Sequence, residues 1–180
     1  MSSPADAELV HAARDGDRAA FEALVARHQR HVYQLCYRFV ANHEDASELA
    51  QDAFVRAYRS LKAFEGQAQF STWLHRITVN VCLNRLAVKT YPQTSLRDIE
   101  ASPGHDEAAD AALLRGERAA RVRAAVAQLP TKQRATLILR VYHDLPHEEI
   151  ARILGGSVSA AKTNLFHALR GLRKLLAPDD

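Results

Sequence analysis

The sequence predicts an all-α fold made of two small helical domains joined by a linker. Apolar residues recur at steps of three and four along nearly every ordered stretch, and no stretch of any length alternates as a strand does. A segment containing two prolines, a glycine and several Ser and Thr residues separates two such helical parts. We therefore predict a first domain over residues 1–86, a linker over 87–106 and a second domain over 107–180.

The composition is that of a globular protein. Of the 180 residues, 47% are hydrophobic and 25% are charged, and no apolar run approaches the ~18 residues of a membrane span. The first 15 residues lack the basic start and apolar stretch of a signal peptide. Cys36 and Cys82 lie far apart inside helical patterns, so buried thiols are favoured over a disulfide. We expect a cytoplasmic protein that does not insert into a membrane.

Local signals divide each domain into four helices. The predicted helices cover about residues 6–14, 18–41, 44–63, 71–86, 106–128, 131–142, 147–154 and 158–176. Asp6 and Asp17 are suitable N-caps for the first two helices, and Ser71 or Thr72 for the fourth. Pro130 ends one helix and suits the opening of the next.

The charges are unevenly distributed along the chain. The formal net charge is only +3, with 24 basic and 21 acidic residues. Residues 1–86 contain 10 of each sign, whereas residues 121–180 contain 10 basic and 5 acidic residues. Such segregation indicates several partner surfaces rather than one.

The last two predicted helices have the spacing of a helix-turn-helix. Ala151 provides a small side chain where the helices approach, Gly155 suits a left-handed turn, and Ser157 is placed to cap the second helix. That helix has no acidic residue, and its polar side chains could reach base edges and phosphates in a major groove. The candidates are Ser157, Ser159, Lys162, Thr163, Asn164, His167 and Arg170. The alternative is an amphipathic C-terminal helix whose cations are merely solvated.

A second candidate surface is acidic. Asp45, Glu48 and Asp52 fall at positions i, i+3 and i+7 of the third helix, opposite its alanine-rich face. Like charges on one helical face repel, which costs about a few tenths of a kcal/mol per pair. A basic partner would relieve that cost. Taken alone, the stripe is better explained as a solvated helix face.

A third candidate surface combines aromatic residues with polar ones. Phe64, Phe70 and Trp73 lie in and beside a glycine-containing loop, and Arg76 and Asn80 follow at helical spacing. Aromatic rings and nearby donors are what unstacked bases require. In isolation the three aromatic residues are more often core anchors, and at most two of them can be free to stack.

These three signals, in this order, resemble the RNA polymerase sigma factors of the extracytoplasmic-function (ECF) group. The resemblance covers about Asp6–Leu86 and Glu107–Leu176, and implies a sigma region 2 bundle followed by a region 4 helix-turn-helix. It implies that Asp45, Glu48, Gln51 and Asp52 bind the clamp helices of the largest subunit of core RNA polymerase. It also implies that the minus-ten promoter element is read as a single strand by Phe64, Phe70, Thr72, Trp73, Arg76 and Asn80.

The resemblance further implies that the helix-turn-helix reads the minus-35 element of promoter DNA as a duplex, and that an anti-sigma factor holds the protein inactive. Departures from the family pattern lie mostly in region 4. Gly156 and Ala161 stand where larger apolar residues are usual, and each replacement could cost ~1–3 kcal/mol if neighbours do not fill the gap. Pro146 occupies a usual capping position, and few cations follow Arg85 after the minus-ten helix.

Other functions are less well supported by the residues. A stand-alone helix-turn-helix regulator would bind duplex DNA tightly without polymerase. A metal-dependent hydrolase could use His143 and His147, although the predicted helix break between them spoils their spacing. His28 and His31 also have a ligand-like spacing, but His28 lies on an apolar face. No catalytic site is assembled, so we expect no enzymatic activity and no cofactor.

Overall fold

A computed structural model describes residues 5–88 and 107–177 of the chain. The helices are α1 (Asp6–Arg14), α2 (Arg18–Val40), α3 (His43–Ser60), α4 (Phe70–Val88), α5 (Glu107–Ala127), α6 (Thr131–Leu137), α7 (His147–Leu154) and α8 (Val158–Leu176). A 3-10 turn, Leu61–Ala63, follows α3, and a π-helical segment, Ile138–Tyr142, follows α6. These residues contain no strand, and the predicted all-α fold is confirmed. Most of the predicted linker lies outside the described residues.

Helices α1 to α4 form the first bundle, with α2 at its centre. Leu24, Leu35 and Phe39 on α2 are completely buried, because they recur on one face at the helical period. Alanines on α3 let it approach α2 closely, and Leu74 and Thr78 of α4 complete the core. The Thr78 hydroxyl is satisfied inside the helix, since it donates to the Leu74 carbonyl at 2.8 Å.

Helix ends follow the capping rules at some positions and depart from the sequence expectation at others. Asp17 caps α2, because its carboxylate accepts from the amides of Ala19 at 2.9 Å and Ala20 at 3.2 Å. Asp6 does not cap α1; it forms an ion pair with Arg27 and a hydrogen bond with His28 of α2 instead. Neither Ser71 nor Thr72 caps α4, because the helix already begins at Phe70.

Helices α5 to α8 form the second bundle, and α7 and α8 make the predicted helix-turn-helix. Gly155 ends α7 in the left-handed region with φ of 66°, and the Ser157 hydroxyl accepts from the Ala160 amide at 3.1 Å to cap α8. Gly171 allows α8 to approach the end of α5, since a Cβ there would lie 3.0 Å from Leu129. Ala151 is 6% exposed, and its small side chain at the helix crossing stays a prediction.

The two bundles pack against each other. Helix α4 contacts α7, and α2 contacts the π-helical segment that follows α6. Buried side chains of both bundles belong to one continuous apolar cluster. The amino-terminal turns of α4 are therefore covered by the first helix of the helix-turn-helix.

The cap at Asp17 provides a test of the helix assignments. Asp17→Ala leaves two amides of α2 without their acceptor and should lower the free energy of unfolding by ~1 kcal/mol in urea denaturation. Asp15→Ala is the matched control, because its pair with His11 is exposed, with side chains 70% and 82% accessible, and contributes close to nothing. Equal effects of the two substitutions would contradict the capping role.

Candidate protein and nucleic-acid interfaces

The acidic stripe on α3 is partly neutralised by the protein itself. Arg85, on α4, lies 3.4 Å from the Asp45 carboxylate and 3.0 Å from that of Glu48. Asp52 pairs with Arg56 one turn along α3 at 3.0 Å. The expected repulsion within the stripe is thus relieved without a partner. The spacing on α3 could not indicate this, because Arg85 comes from another helix.

The stripe nevertheless remains accessible except at Asp45, whose side chain is 21% exposed. The Glu48 side chain is 64% exposed and that of Asp52 is 41% exposed, and Gln51 between them also faces solvent. A shallow groove between α2 and α3 adjoins these residues. Its lining consists of Val25, Gln29, Arg30, Tyr33, Ser47, Ala50, Gln51 and Phe54. The surface combines carboxylates with an apolar groove, which suits a protein partner with basic and apolar side chains.

Two of the three aromatic candidates are core residues. Phe64 is 8% exposed and Phe70 is 4% exposed. Their rings pack on Trp73 at centroid distances of 4.9 and 5.8 Å, respectively. Buried rings cannot stack on a base in this arrangement, so the core-anchor interpretation applies to Phe64 and Phe70. Only Trp73 keeps partial exposure.

The polar candidates of α4 fall into two groups. Arg76 and Asn80 are exposed one turn apart on the same face of the helix. Thr72 is only 6% exposed, and its hydroxyl donates to a carboxylate oxygen of Glu149 on α7. The structure thus leaves Arg76 and Asn80 accessible and covers Thr72 with the second bundle.

The candidates on α8 form a continuous outer face. All of them except the partly buried Asn164 are exposed: Ser157, Ser159, Lys162, Thr163, His167 and Arg170. The buried side of the same helix is formed by Ala161 and Ala168. Phe166, 62% exposed, also belongs to the outer face, although the helical pattern predicts that an apolar residue on an amphipathic helix is buried.

One of the departures from the family pattern, Gly156, leaves no gap in the packing. A Cβ at Gly156 would have no atom within 4 Å, so the glycine leaves no cavity and the expected cost does not arise there. Ala161 is 3% exposed and lies in the core cluster. Pro146 precedes α7 in extended conformation and offers no side-chain cap.

Histidines lie where the two bundles meet. The rings of His75 on α4 and His143 after the π-helical segment are edge-to-face at a centroid distance of 5.8 Å. Burial lowers the pKa of His75 from its usual 6.5 to about 4, with repulsion from His28 and His31 adding to it. Burial likewise lowers the pKa of His143 to about 4, with smaller effects of His75, His31 and Arg38. Both rings are therefore neutral at pH 7.

The remaining histidine and cysteine features are structural. His28 is satisfied by the Asp6 carboxylate at 2.8 Å. Within residues 5–88 and 107–177, no three His, Cys, Asp or Glu side chains are grouped as metal ligands. Cys36 and Cys82 are buried free thiols, as predicted. A hydrogen bond with Cys36 and burial both raise the pKa of the Cys82 thiol.

Comparison with known families identifies the class of protein. Residues 24–90 match the family Sigma-70 region 2, and residues 119–172 match Sigma-70, region 4. The chain belongs to the sigma-70 family of transcription initiation factors, which direct RNA polymerase to promoters. Both halves of the helical architecture are thereby accounted for.

The similar curated proteins define the group within the family. RNA polymerase sigma-H factor of Pseudomonas aeruginosa is 33% identical, and the match covers 99% of this chain and 97% of that protein. ECF RNA polymerase sigma factor SigM of Mycobacterium tuberculosis is 36% identical over 95% of this chain and 84% of its own length. ECF RNA polymerase sigma-E factor of Escherichia coli is 32% identical, covering 96% and 95%. The chain is an ECF sigma factor.

Solved structures agree with this assignment. The structure of CnrH in complex with the cytosolic domain of CnrY has a TM-score of 0.74 and 28% identity, covering 98% of this chain and 100% of that one. The sigma factor RpoE of Bartonella quintana, in complex with the anti-sigma factor NepR, has a TM-score of 0.65 at 17% identity, a likeness of fold alone. Among the described residues, no helix is sufficiently long and apolar to span a membrane.

The half-buried imidazoles of His75 and His143 predict a pH-dependent stability. Packing keeps His75 and His143 neutral, whereas in the unfolded chain each has a pKa of ~6.5. The contribution of this packing to the free energy of unfolding is complete above pH ~6.5 and is lost as the pH falls from there towards 4. The reason is that the histidines of the unfolded chain, with the higher pKa, bind protons that the folded form does not. The free energy of unfolding should accordingly decline over this range in urea titrations.

The control is the variant His75→Gln/His143→Gln, which keeps polar side chains of similar size but cannot titrate. Its decline between pH 6.5 and 4 should be shallower than that of the unmodified chain. The remaining slope comes from carboxylates common to both proteins. Parallel curves for the two proteins would contradict the assignment of the slope to these histidines.

Proposed function

We propose that this sigma factor reads the minus-35 element through the outer face of α8 and binds core RNA polymerase through the acidic stripe of α3. The assignment of minus-35 recognition to α8 is supported by its row of exposed polar side chains, from Ser159 to Arg170. They begin immediately after a capped turn, where the residues of a recognition helix contact base edges. No acidic side chain interrupts the row, so no negative charge on this face repels the phosphates of DNA.

We assign the recognition of the minus-ten element to the exposed part of α4 and the loop before it. Arg76 and Asn80 supply donors to an unpaired strand, and Trp73 supplies a partly exposed ring. Because Phe64 and Phe70 are buried, we assign the capture of a flipped base to the loop backbone and side chains at 65–69, which these two rings anchor. This placement replaces the stacking role expected for them.

We assign the binding of core polymerase to one surface, which consists of the adjoining groove and of Asp45, Glu48, Gln51 and Asp52. The exposed carboxylates would attract basic side chains on the largest subunit, and the groove would accept apolar ones. The same surfaces suit an anti-sigma factor: the Bartonella RpoE was solved with the anti-sigma factor NepR, and CnrH with the cytosolic domain of CnrY. Polymerase performs all the chemistry, so this protein has no catalytic residue of its own and works in the cytoplasm beside polymerase.

Run-off transcription tests the minus-35 assignment. With core polymerase and genomic fragments, the unmodified chain should direct initiation at particular promoters. Lys162→Glu places a negative charge against phosphates and bases and should reduce the yield by ~10-fold or more on those promoters. Lys174→Glu is the matched control three turns further along α8, where the yield should change by less than ~3-fold. Equal yields for Lys162→Glu and the unmodified chain would overturn the placement of α8.

A pull-down with core polymerase tests the stripe. Asp52→Lys converts the exposed ion pair with Arg56 into two like charges, which costs little stability because the site is exposed. The substitution should weaken binding of polymerase by ~10-fold or more. Glu22→Lys is the control, because Glu22 is likewise exposed and pairs with Arg18 one turn away at 3.5 Å. Undiminished capture of Asp52→Lys, with the circular dichroism of the unmodified chain, would contradict the docking assignment.

A further inference from the structure

One phenylalanine of the chain lies on the surface. Phe166 of α8 is 62% exposed, and its ring meets that of His167 edge-to-face at a centroid distance of 5.5 Å. The other five are buried or partly buried: Phe21, Phe39, Phe54, Phe64 and Phe70. Single apolar side chains are common on protein surfaces, so the position of this ring, rather than its exposure, indicates a function.

The ring lies within the row of exposed polar side chains on α8. Steps of four, three and four residues place a set of exposed side chains above one another on one face of the helix. The set consists of Ser159, Thr163, Phe166 and Arg170. When this face enters a major groove, the ring enters with Thr163 and Arg170 on either side of it.

The chemistry of a phenyl ring limits which base it recognises there. The ring neither donates nor accepts a conventional hydrogen bond, and the apolar group on the major-groove edge of a base pair is the C5 methyl of thymine. Contact between the ring and this methyl removes both from water, which is favourable. A cytosine in the same place has no methyl, and its amino group would face the ring without an acceptor. The ring therefore favours thymine.

We propose that Phe166 makes this sigma factor select thymine at one position of the minus-35 element, by packing its ring against the C5 methyl group. The proposal rests on the assignment of that element to α8 given above, and it names the base and the chemical group that one side chain recognises. Thr163 and Arg170 supply the polar contacts that hold the helix in register. The edge-to-face contact with His167 stabilises the orientation of the ring.

Deoxyuridine isolates the methyl group in the test, because it pairs with adenine as thymine does and lacks only that methyl. The holoenzyme of core polymerase and the full chain is bound to a promoter found by run-off transcription. Each thymine of the minus-35 element, on either strand, is replaced in turn by deoxyuridine. Competition against the fluorescein-labelled unmodified duplex, followed by fluorescence anisotropy, gives the change in Kd.

The same series is measured with Phe166→Ala and with the control Leu175→Ala. Leu175 is also an apolar residue of α8, and it is 41% exposed. It lies nine residues beyond Phe166 and thus on the opposite side of the helix. Because both side chains are exposed, neither substitution removes a residue of the core, and circular dichroism should be unchanged.

With the unmodified chain, loss of one methyl group should raise Kd by ~3- to 5-fold at one thymine, the size expected for one methyl group removed from water. With Phe166→Ala the same replacement should change Kd by less than ~1.5-fold, since the ring that contacts the methyl is gone. Leu175→Ala should keep the full effect. Deoxyuridine effects that are equal in the unmodified chain and in Phe166→Ala at every thymine would overturn the proposal.

A protein partner for the ring gives a different result. Phe166→Ala would then weaken capture of core polymerase in a pull-down and leave the deoxyuridine effects unchanged. This outcome would also overturn the selection of thymine by Phe166.

Failure of the α8 assignment itself is distinguishable. Replacement of the whole minus-35 element by an unrelated sequence should weaken binding by the unmodified holoenzyme, and Lys162→Glu should weaken binding to the original promoter. If neither change has an effect, the α8 assignment and the thymine proposal are both wrong. If both changes weaken binding but no deoxyuridine effect depends on Phe166, only the thymine proposal is wrong.

Discussion

The packing of α4 determines how the rest of this molecule is arranged. One side of the helix closes the first bundle through Leu74, Thr78 and Cys82, all of them almost fully buried. Its first turns lie against α7, and its last turn carries Arg85 to the acids of α3. Because a helix is rigid over this length, these three contacts are coupled. The position of the second bundle and the charge of the acidic stripe both follow from how α4 is seated.

The small net charge conceals a set of local balances. Arg85 and Arg56 neutralise part of the stripe, and Glu149 supplies the negative charge that the start of α4 lacks. Two of these contacts, from Arg85 and from Glu149, link different helices, whereas the Arg56–Asp52 pair lies within α3.

The contact between the bundles combines apolar packing with polar groups. His75 and His143 are kept neutral there by partial burial, and repulsion from neighbouring histidines and Arg38 adds to it. His75 Nδ1 and His143 Nε2 are buried without a hydrogen-bond partner in the described part of the chain, and an unsatisfied buried polar group weakens the contact that covers it.

The helices, their order and the helix-turn-helix were predictable from the sequence, because helical periodicity, N-caps such as Asp17 and the left-handed Gly155 are local properties. The outer face of α8 was predictable too, since a helix with one apolar side must expose the other. The burial of Phe64 and Phe70, the pairing of Arg85 with the stripe and the contact of Glu149 with Thr72 became visible only in the folded structure. Each of these depends on residues distant in the chain that meet in space, and the period of one helix contains no information about the side chains that another helix will bring to it.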